Sequence, residues 1–226
     1  MSSPLIKYND TTLVLPPALC GSIGYYSLMA SHKNVVIDRY CRYDKRRKLM
    51  HRYDIADVNG RLTLTVPITK PRIGATWNDA GVSAHGGWWN IHKVALWSAY
   101  GRTPFFEYYI DELMPYLQPR DGVQPESLMD LNTGIDAIIR RIAGIESNVR
   151  YELTAEEKEL ITNGDKSIID HRNSNFELEQ PIEYYQVRAT QQGFIPNLTM
   201  LDLIFNMGPE TPLVLKKIID LNHQSI

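Results

Sequence analysis

The chain has 226 residues, 43% hydrophobic and 22% charged, with a formal net charge of −2 at pH 7. This composition excludes a disordered or low-complexity chain and is sufficient to bury one substantial core. The near balance of charge argues against nucleic acid or an anionic membrane as a partner, and the only two cysteines, Cys20 and Cys41, make neither a disulfide framework nor a CxxC metal knuckle.

The first residues, MSSPLIKYNDTTLVLPPALC, lack a basic start followed by an unbroken apolar run, so no secretory signal is expected. No stretch reaches the roughly 18 apolar residues that would span a bilayer. With two scattered cysteines, a reduced, cytoplasmic location is the expectation.

Residues 12–15 (TLVL) form an apolar, β-branched run stopped by Pro16-Pro17, which predicts a buried strand. A helix follows over IGYYSLMAS, with Ser22 as its cap. Residues 34–37 (NVVI) read as a second buried strand. Strand, helix and strand in so short a span predict a βαβ unit and a partly parallel sheet. Asp38 stands at the carboxyl end of the second strand, where ligands sit in open α/β sheets. Residues 39–48 then hold six Lys or Arg in ten positions. They read either as an anion-binding loop or as a solvated charged connection. Asn59-Gly60 predicts a hairpin turn between HRYDIADV and RLTLTVPI. Arg52 lies just inside the first of these strands, where it is held more rigidly than a loop arginine.

Residues 69–86 are loop-like. Residues 86–109 hold eight aromatic side chains, including three of the four tryptophans. Trp88, His92 and Tyr100 fall on one face of a helix ended by Gly101, and Pro104 opens another. Helical spacing favours core over a stacking platform. His92 is either a hydrogen-bonded, partly buried histidine or a general base. Its distance from His85 matches no familiar ligand set, so no metal site is expected. A polar link at 118–125 leads to an amphipathic helix near 126–142, and a short helix is expected near 155–162. Residues 184–188 look strand-like. Residues 198–207 and 213–222 read as helices. On the first of these, Asp202 and Asn206 share a face, with Gln191 upstream. They either converge on a ligand or hold loops in place. There is no GxSxG, Walker loop, GxGxxG or HExxH, and no cofactor is indicated. The fold class is α/β: a mixed, partly parallel sheet in the N-terminal half and a helical C-terminal half. We read one domain over 1–226, with the link dividing an α/β lobe, 1–118, from a mainly helical lobe, 125–226.

As a whole the chain resembles the WbqC-like family of bacterial surface-polysaccharide gene clusters. The resemblance rests on Pro17 and Gly24-Tyr25-Tyr26, on VVID at 35–38, on Arg52 followed by LTVP at 64–67, and on Trp89, His92, Tyr100, Pro104, Phe105 and Phe106. It is most specific from Gln191 to Gly208, where Phe194, Pro196, LTMLDL and Phe205-Asn206 carry it. Leu15-Pro16 stand where the family has His-Gln, and Ser22 where it has Trp. The resemblance implies an accessory enzyme of O-antigen or capsule synthesis, moving glycine, another amino acid or a sugar from an activated small-molecule donor. Arg52 and Lys45 would hold an anion, Asp38 would orient a hydroxyl, and His92 would be the base. Tyr100, Asp202, Asn206 and Gln191 would line the cleft. The alternative is a non-catalytic nucleotide- or sugar-binding module, favoured by Leu15-Pro16. A nucleic-acid binder using 39–48 with Tyr40 and Tyr43 is the third reading, and the overall charge opposes it.

Overall fold

The computed structural model describes residues 8–69, 71–118 and 127–222. The expected link at 118–125 and the start of its following helix at Glu126 lie outside the described residues, apart from Gln118. So do residues 1–7 of the segment on which the secretory expectation was based.

The apolar run that predicted the first strand becomes β1 (Asn9–Leu15). Ser22 then caps α1 (Ile23–Ala30), its hydroxyl accepting from the Tyr25 N–H at 3.2 Å. The chain returns as β2 (His32–Ile37), parallel to β1. The hairpin predicted at Asn59-Gly60 joins β3 (Arg52–Asp57) to β4 (Gly60–Thr65), and Gly60 takes the positive φ of 105° that such a turn requires. A small ribbon, β5 (Ile68–Thr69) with β6 (Gly81–Val82), crosses the stretch expected to be loop. Then come α2 (Trp88–Tyr100), α3 (Phe106–Leu117), α4 (Leu128–Ile142), β7 (Asn148–Arg150), α5 (Ala155–Asn163), β8 (Ile168–Asp170), α6 (Ala189–Gln192), α7 (Met200–Met207) and α8 (Thr211–Asn222).

The main sheet has the order β7-β2-β1-β8, with every pair parallel. Two of its four strands come from the C-terminal half. Each is only three residues long, too short to stand out in sequence. A parallel sheet must be covered on both faces, and this one is. Val14, Val36 and Ile168 pack with Leu153 beneath α5, while Leu13, Leu15, Val35 and Ile37 join the main core. That core runs from Leu13 to Ile219. Helix α1 is buried on every side, the behaviour of a helix that is apolar all round.

The aromatic segment contributes three of its eight aromatic side chains to the buried core. Trp88, Tyr100 and Phe106 are buried, and edge-to-face contacts join Phe106 to Phe205 and Trp88 to His92, each at 5.0 Å. Trp97 and Tyr108 remain exposed.

Residues 184–188 correct an expectation: they form no strand. Their alternation is real, since Tyr184 and Gln186 turn inward, but no strand lies alongside. The Val187 N–H instead donates to the Asn206 side chain at 3.0 Å.

One packing constraint is testable. A Cβ on Gly24 would lie 2.1 Å from the Phe176 carbonyl oxygen, a backbone atom. Gly→Ala at an unhindered helical site stabilises by about 1 kcal/mol. Here we expect Gly24→Ala to destabilise by about 1–3 kcal/mol, measured by urea unfolding.

Candidate functional site

Strand alternation builds one wall of a cleft. In β3, Tyr53 and Ile55 enter the core while Arg52 and Asp54 face outward, and in β4 Arg61 and Thr63 do the same. These four polar side chains line a cleft of about 330 Å³. Lys48, on the turn before β3, joins them. The opposite wall comes from the loop after β8, through Asn175, Phe176 and Glu177, and the floor from residues 19–22 after β1 and from Asn197. The cleft thus opens where β1 and β8 end, the usual ligand position in a parallel sheet.

The backbone around it is tightly tied. Cys20, Phe176 and Asn197, with φ of 45°, 56° and 51°, are the non-glycine residues with positive φ among those described, and all three line this cleft. Such conformations cost on the order of 1–3 kcal/mol each and persist only where surroundings over-determine them. The ties are visible. The Asn197 carboxamide accepts from the Gly24 N–H at 2.8 Å and donates to the Phe176 carbonyl at 2.9 Å and to Glu177 at 3.1 Å. The Thr199 hydroxyl donates to the Cys20 carbonyl at 2.7 Å.

These ties also use up the first N–H groups of α1. Ile23 donates to the Leu198 carbonyl, Gly24 to Asn197 and Tyr25 to Ser22. Charge on a ligand must therefore be met by side chains. Arg61 is engaged with Asp54 at 3.0 Å and with the Pro196 carbonyl at 2.6 Å. Thr63 also donates to Asp54, at 2.6 Å. Arg52 is different. It is half-buried, and its Nε is buried with no hydrogen-bond partner among the described residues. An orphaned charged donor is costly, and this one belongs to a side chain that lines the cleft. Its neighbour His51 is buried and pushed down to about 4, first by burial and then by Arg52 and Lys48.

Residues 17–171 match the model of the WbqC-like protein family. The chain belongs to this family. No curated protein and no solved structure matches it. The matched span begins just after β1, carries α1, β2, the hairpin and α2 to α5, and ends as the chain leaves β8. It therefore includes Lys48, Arg52 and Arg61 but not the block from Gln191 to Gly208. Leu15 and Pro16, just ahead of the matched span, are both buried, and the Pro16 carbonyl accepts from the Tyr25 hydroxyl at 3.0 Å.

Of the eight residues singled out in sequence, Arg52 alone lines this cleft. His92 is 1% exposed. Its Nε2–H donates to the Thr65 carbonyl and its Nδ1 accepts from the Tyr53 hydroxyl, both at 3.1 Å. Burial pushes it down to about 4 against the opposing effect of Thr65. With both ring nitrogens occupied, it bridges α2 to the hairpin, the geometry of the hydrogen-bonded, buried histidine that was one of its two readings. Asp38 is buried and accepts from Arg172 at 2.7 Å and from the Tyr40 N–H at 3.0 Å. It ties the end of β2 to the loop after β8. Lys45 is exposed and lies off the cleft, as does Gln191 on α6.

Tyr100, Asp202 and Asn206 form an interior network. Asp202 accepts from Tyr184 at 2.5 Å and Gln186 at 2.9 Å. Burial raises its pKa, opposed by hydrogen bonds from Tyr184, Tyr100 and Gln186. Asn206 takes the Val187 N–H and donates to the Asp202 carbonyl. Of the two readings open in sequence, this is the loop-holding one. Sequence reasoning singled out none of Lys48, Arg61, Glu177 or Asn197 individually. The signals that existed were the basic run for Lys48 and the outward face of a predicted hairpin for Arg61. Among the described residues, no group of three His, Cys, Asp or Glu side chains could hold a metal, and no helix is long and apolar enough to cross a membrane.

His92 makes a signed prediction. Its folded pKa of about 4 lies below its ordinary value of 6.5. The unfolded chain then binds more protons between those values, so stability present above pH 6.5 is lost as pH falls toward 4. His51 adds to this with the same sign. The raised carboxyls of Asp202 and Asp136 act with the opposite sign just above pH 3.8. We expect the His92 contribution to be roughly 3 kcal/mol. His92→Gln should flatten the acid limb of a plot of unfolding free energy against pH.

Proposed function

We propose that the chain binds an activated, anionic small-molecule donor, a nucleotide sugar or an aminoacyl adenylate, in the Arg52 cleft. There it transfers the sugar or aminoacyl group in the assembly of a bacterial surface polysaccharide. The observation that carries this reading is the buried, unpartnered Nε of Arg52 in a cleft whose backbone is held in left-handed conformations. An arginine fork with an unused donor suits a phosphate oxygen. Lys48 supplies a second, mobile charge. On the facing wall Glu177 keeps one carboxylate oxygen outside its bond to Asn197. Glu177 takes the role of base toward an acceptor hydroxyl or amine, in place of His92. Asp54 is committed to Arg61 and Thr63. The core shared between the two halves supports reading the chain as one domain.

A non-catalytic binding module is the second reading. The side chains at Leu15-Pro16 and the absence of any histidine from the cleft lining favour it.

Thermal shift with nucleotide sugars, nucleoside mono- and diphosphates and aminoacyl-adenylate analogues tests the proposal. A cognate donor at 100 times its dissociation constant stabilises the fold by about 2.7 kcal/mol, and Arg52→Ala should abolish the shift. Glu177→Gln should keep the shift and lose turnover. A ligand that saturates the protein and is recovered unchanged with every acceptor offered would decide for the binding module.

A further inference from the structure

The basic run at 39–48 sends only Lys48 into the Arg52 cleft. Its arginines build something else. The loop after β2 is fastened to residues 75–77: the Tyr43 N–H donates to the Ala75 carbonyl at 3.0 Å, the Trp77 N–H donates to the Cys41 carbonyl at 3.1 Å, and the Tyr43 ring packs on Trp77 at 4.6 Å. Thus anchored, the loop faces the chain leaving β8 across a second concavity of about 570 Å³. Arg42, Arg46, Arg47 and Arg172 line it, with Tyr43 and Asn173.

A solvated charge run would leave these guanidinium groups free to rotate. Here Arg47 and Arg172 are held. Arg47 donates to the Arg172 carbonyl and to the Asn173 side chain. Arg172 is gripped by Asp38 at 2.7 Å and by Asp170 at 2.7 and 2.9 Å. Arg46, which is exposed, pairs with Asp44 at 2.8 Å. Arg42 has no hydrogen bond or ion pair to a described residue. Each guanidinium carries five N–H donors, and these protein contacts use only part of them. Four guanidinium groups meet a single lining carboxylate, Asp44. Even with Asp38 and Asp170 counted against them, a positive excess remains.

We propose that this second cleft binds the phosphoryl groups of a phosphorylated ligand, such as a diphosphate ester, at a site separate from the Arg52 cleft. Several oriented arginine forks match the oxygens and multiple charge of phosphate better than those of a single carboxylate. Cys41 on the wall has its thiol pushed up to about 12, chiefly by burial. The cleft therefore offers binding and no thiolate chemistry. The site does not depend on the reading of the Arg52 cleft. Segment 172–177 separates the two: Arg172 and Asn173 face this cleft, and Asn175, Phe176 and Glu177 face the other.

The test is a ³¹P NMR titration of the full chain with pyrophosphate at low salt, with acetate as competitor. Wild type should bind saturably, and more weakly as salt rises. The Arg42→Ala/Arg46→Ala double variant should bind at least about tenfold more weakly, the loss expected when charged hydrogen bonds are removed. Arg52→Ala should still bind pyrophosphate saturably through the second cleft, losing at most any separate binding event that belongs to the Arg52 cleft. Arg42 and Arg46 are exposed, and circular dichroism and melting would confirm the fold. If the double variant fails to fold, Arg42→Gln alone should show the weakening. Complete loss in both the double variant and Arg52→Ala would overturn the separate site, since the two clefts would then serve one ligand. No binding by wild type, equal displacement by acetate, undiminished binding by the double variant, or loss confined to Arg52→Ala would overturn the proposal.

Discussion

The carboxamide of Asn197 is the contact on which the rest of this structure turns. One side chain serves the start of α1, the carbonyl of Phe176 and the carboxylate of Glu177. It thereby joins the first helix, the loop leaving the sheet edge and the entry to α7, which lie far apart in sequence. Asn is among the few residues that tolerate a left-handed backbone, because its short polar side chain bonds locally. Gly24 completes the arrangement, since any Cβ there would strike the Phe176 carbonyl.

A second consequence concerns how polar groups are buried. This fold places several titratable side chains inside and ties three of them to neighbouring elements by hydrogen bonds. His92 is held by Tyr53 and Thr65. Asp136 is held by Tyr26 at 3.1 Å and Arg140 at 2.8 Å. Asp202 is held by Tyr184 and Gln186. Each set joins elements that hydrophobic packing alone would let slide, because a buried polar atom without its partner costs about 1–3 kcal/mol. The directional bonds specify register while apolar area supplies most of the driving force. The Nε of Arg52, like that of Arg188 and both ring nitrogens of His51, is buried without a partner among the described residues, and of these three side chains Arg52 is the one that lines the cleft.

The two basic clefts share an origin. Both lie among the segments that follow the carboxyl ends of the parallel strands, where loops diverge and leave room. The hairpin walls one, the loop after β2 walls the other, and segment 172–177 stands between them. An ion pair between Asp38 and Arg172 fixes that segment to β2. A carboxylate at the end of a strand, which invites a reading as a ligand contact, here positions an arginine.

Much of the fold was legible from the chain alone. The βαβ unit, the hairpin at Asn59-Gly60, the cap at Ser22 and the helices around 88–100, 128–142 and 200–207 all follow from local periodicity and turn chemistry, which operate over a few residues. Membership of the WbqC-like family was legible for the same reason, since motifs are local. The rigid placement of Arg52 on a strand was readable too. Local pattern did not reveal β7 and β8, because three residues carry too little signal and their partners lie more than a hundred residues away. It could not tell that His92 faces inward to Tyr53 and Thr65, nor that Asp202 and Asn206 hold a loop. Helical spacing defines a face but leaves open what that face meets. The union of Lys48, Arg52, Glu177 and Asn197 in one cleft was decided only by tertiary structure. It depends on long-range closure of the chain, through Asn197 and Gly24, and no short window of sequence contains that closure.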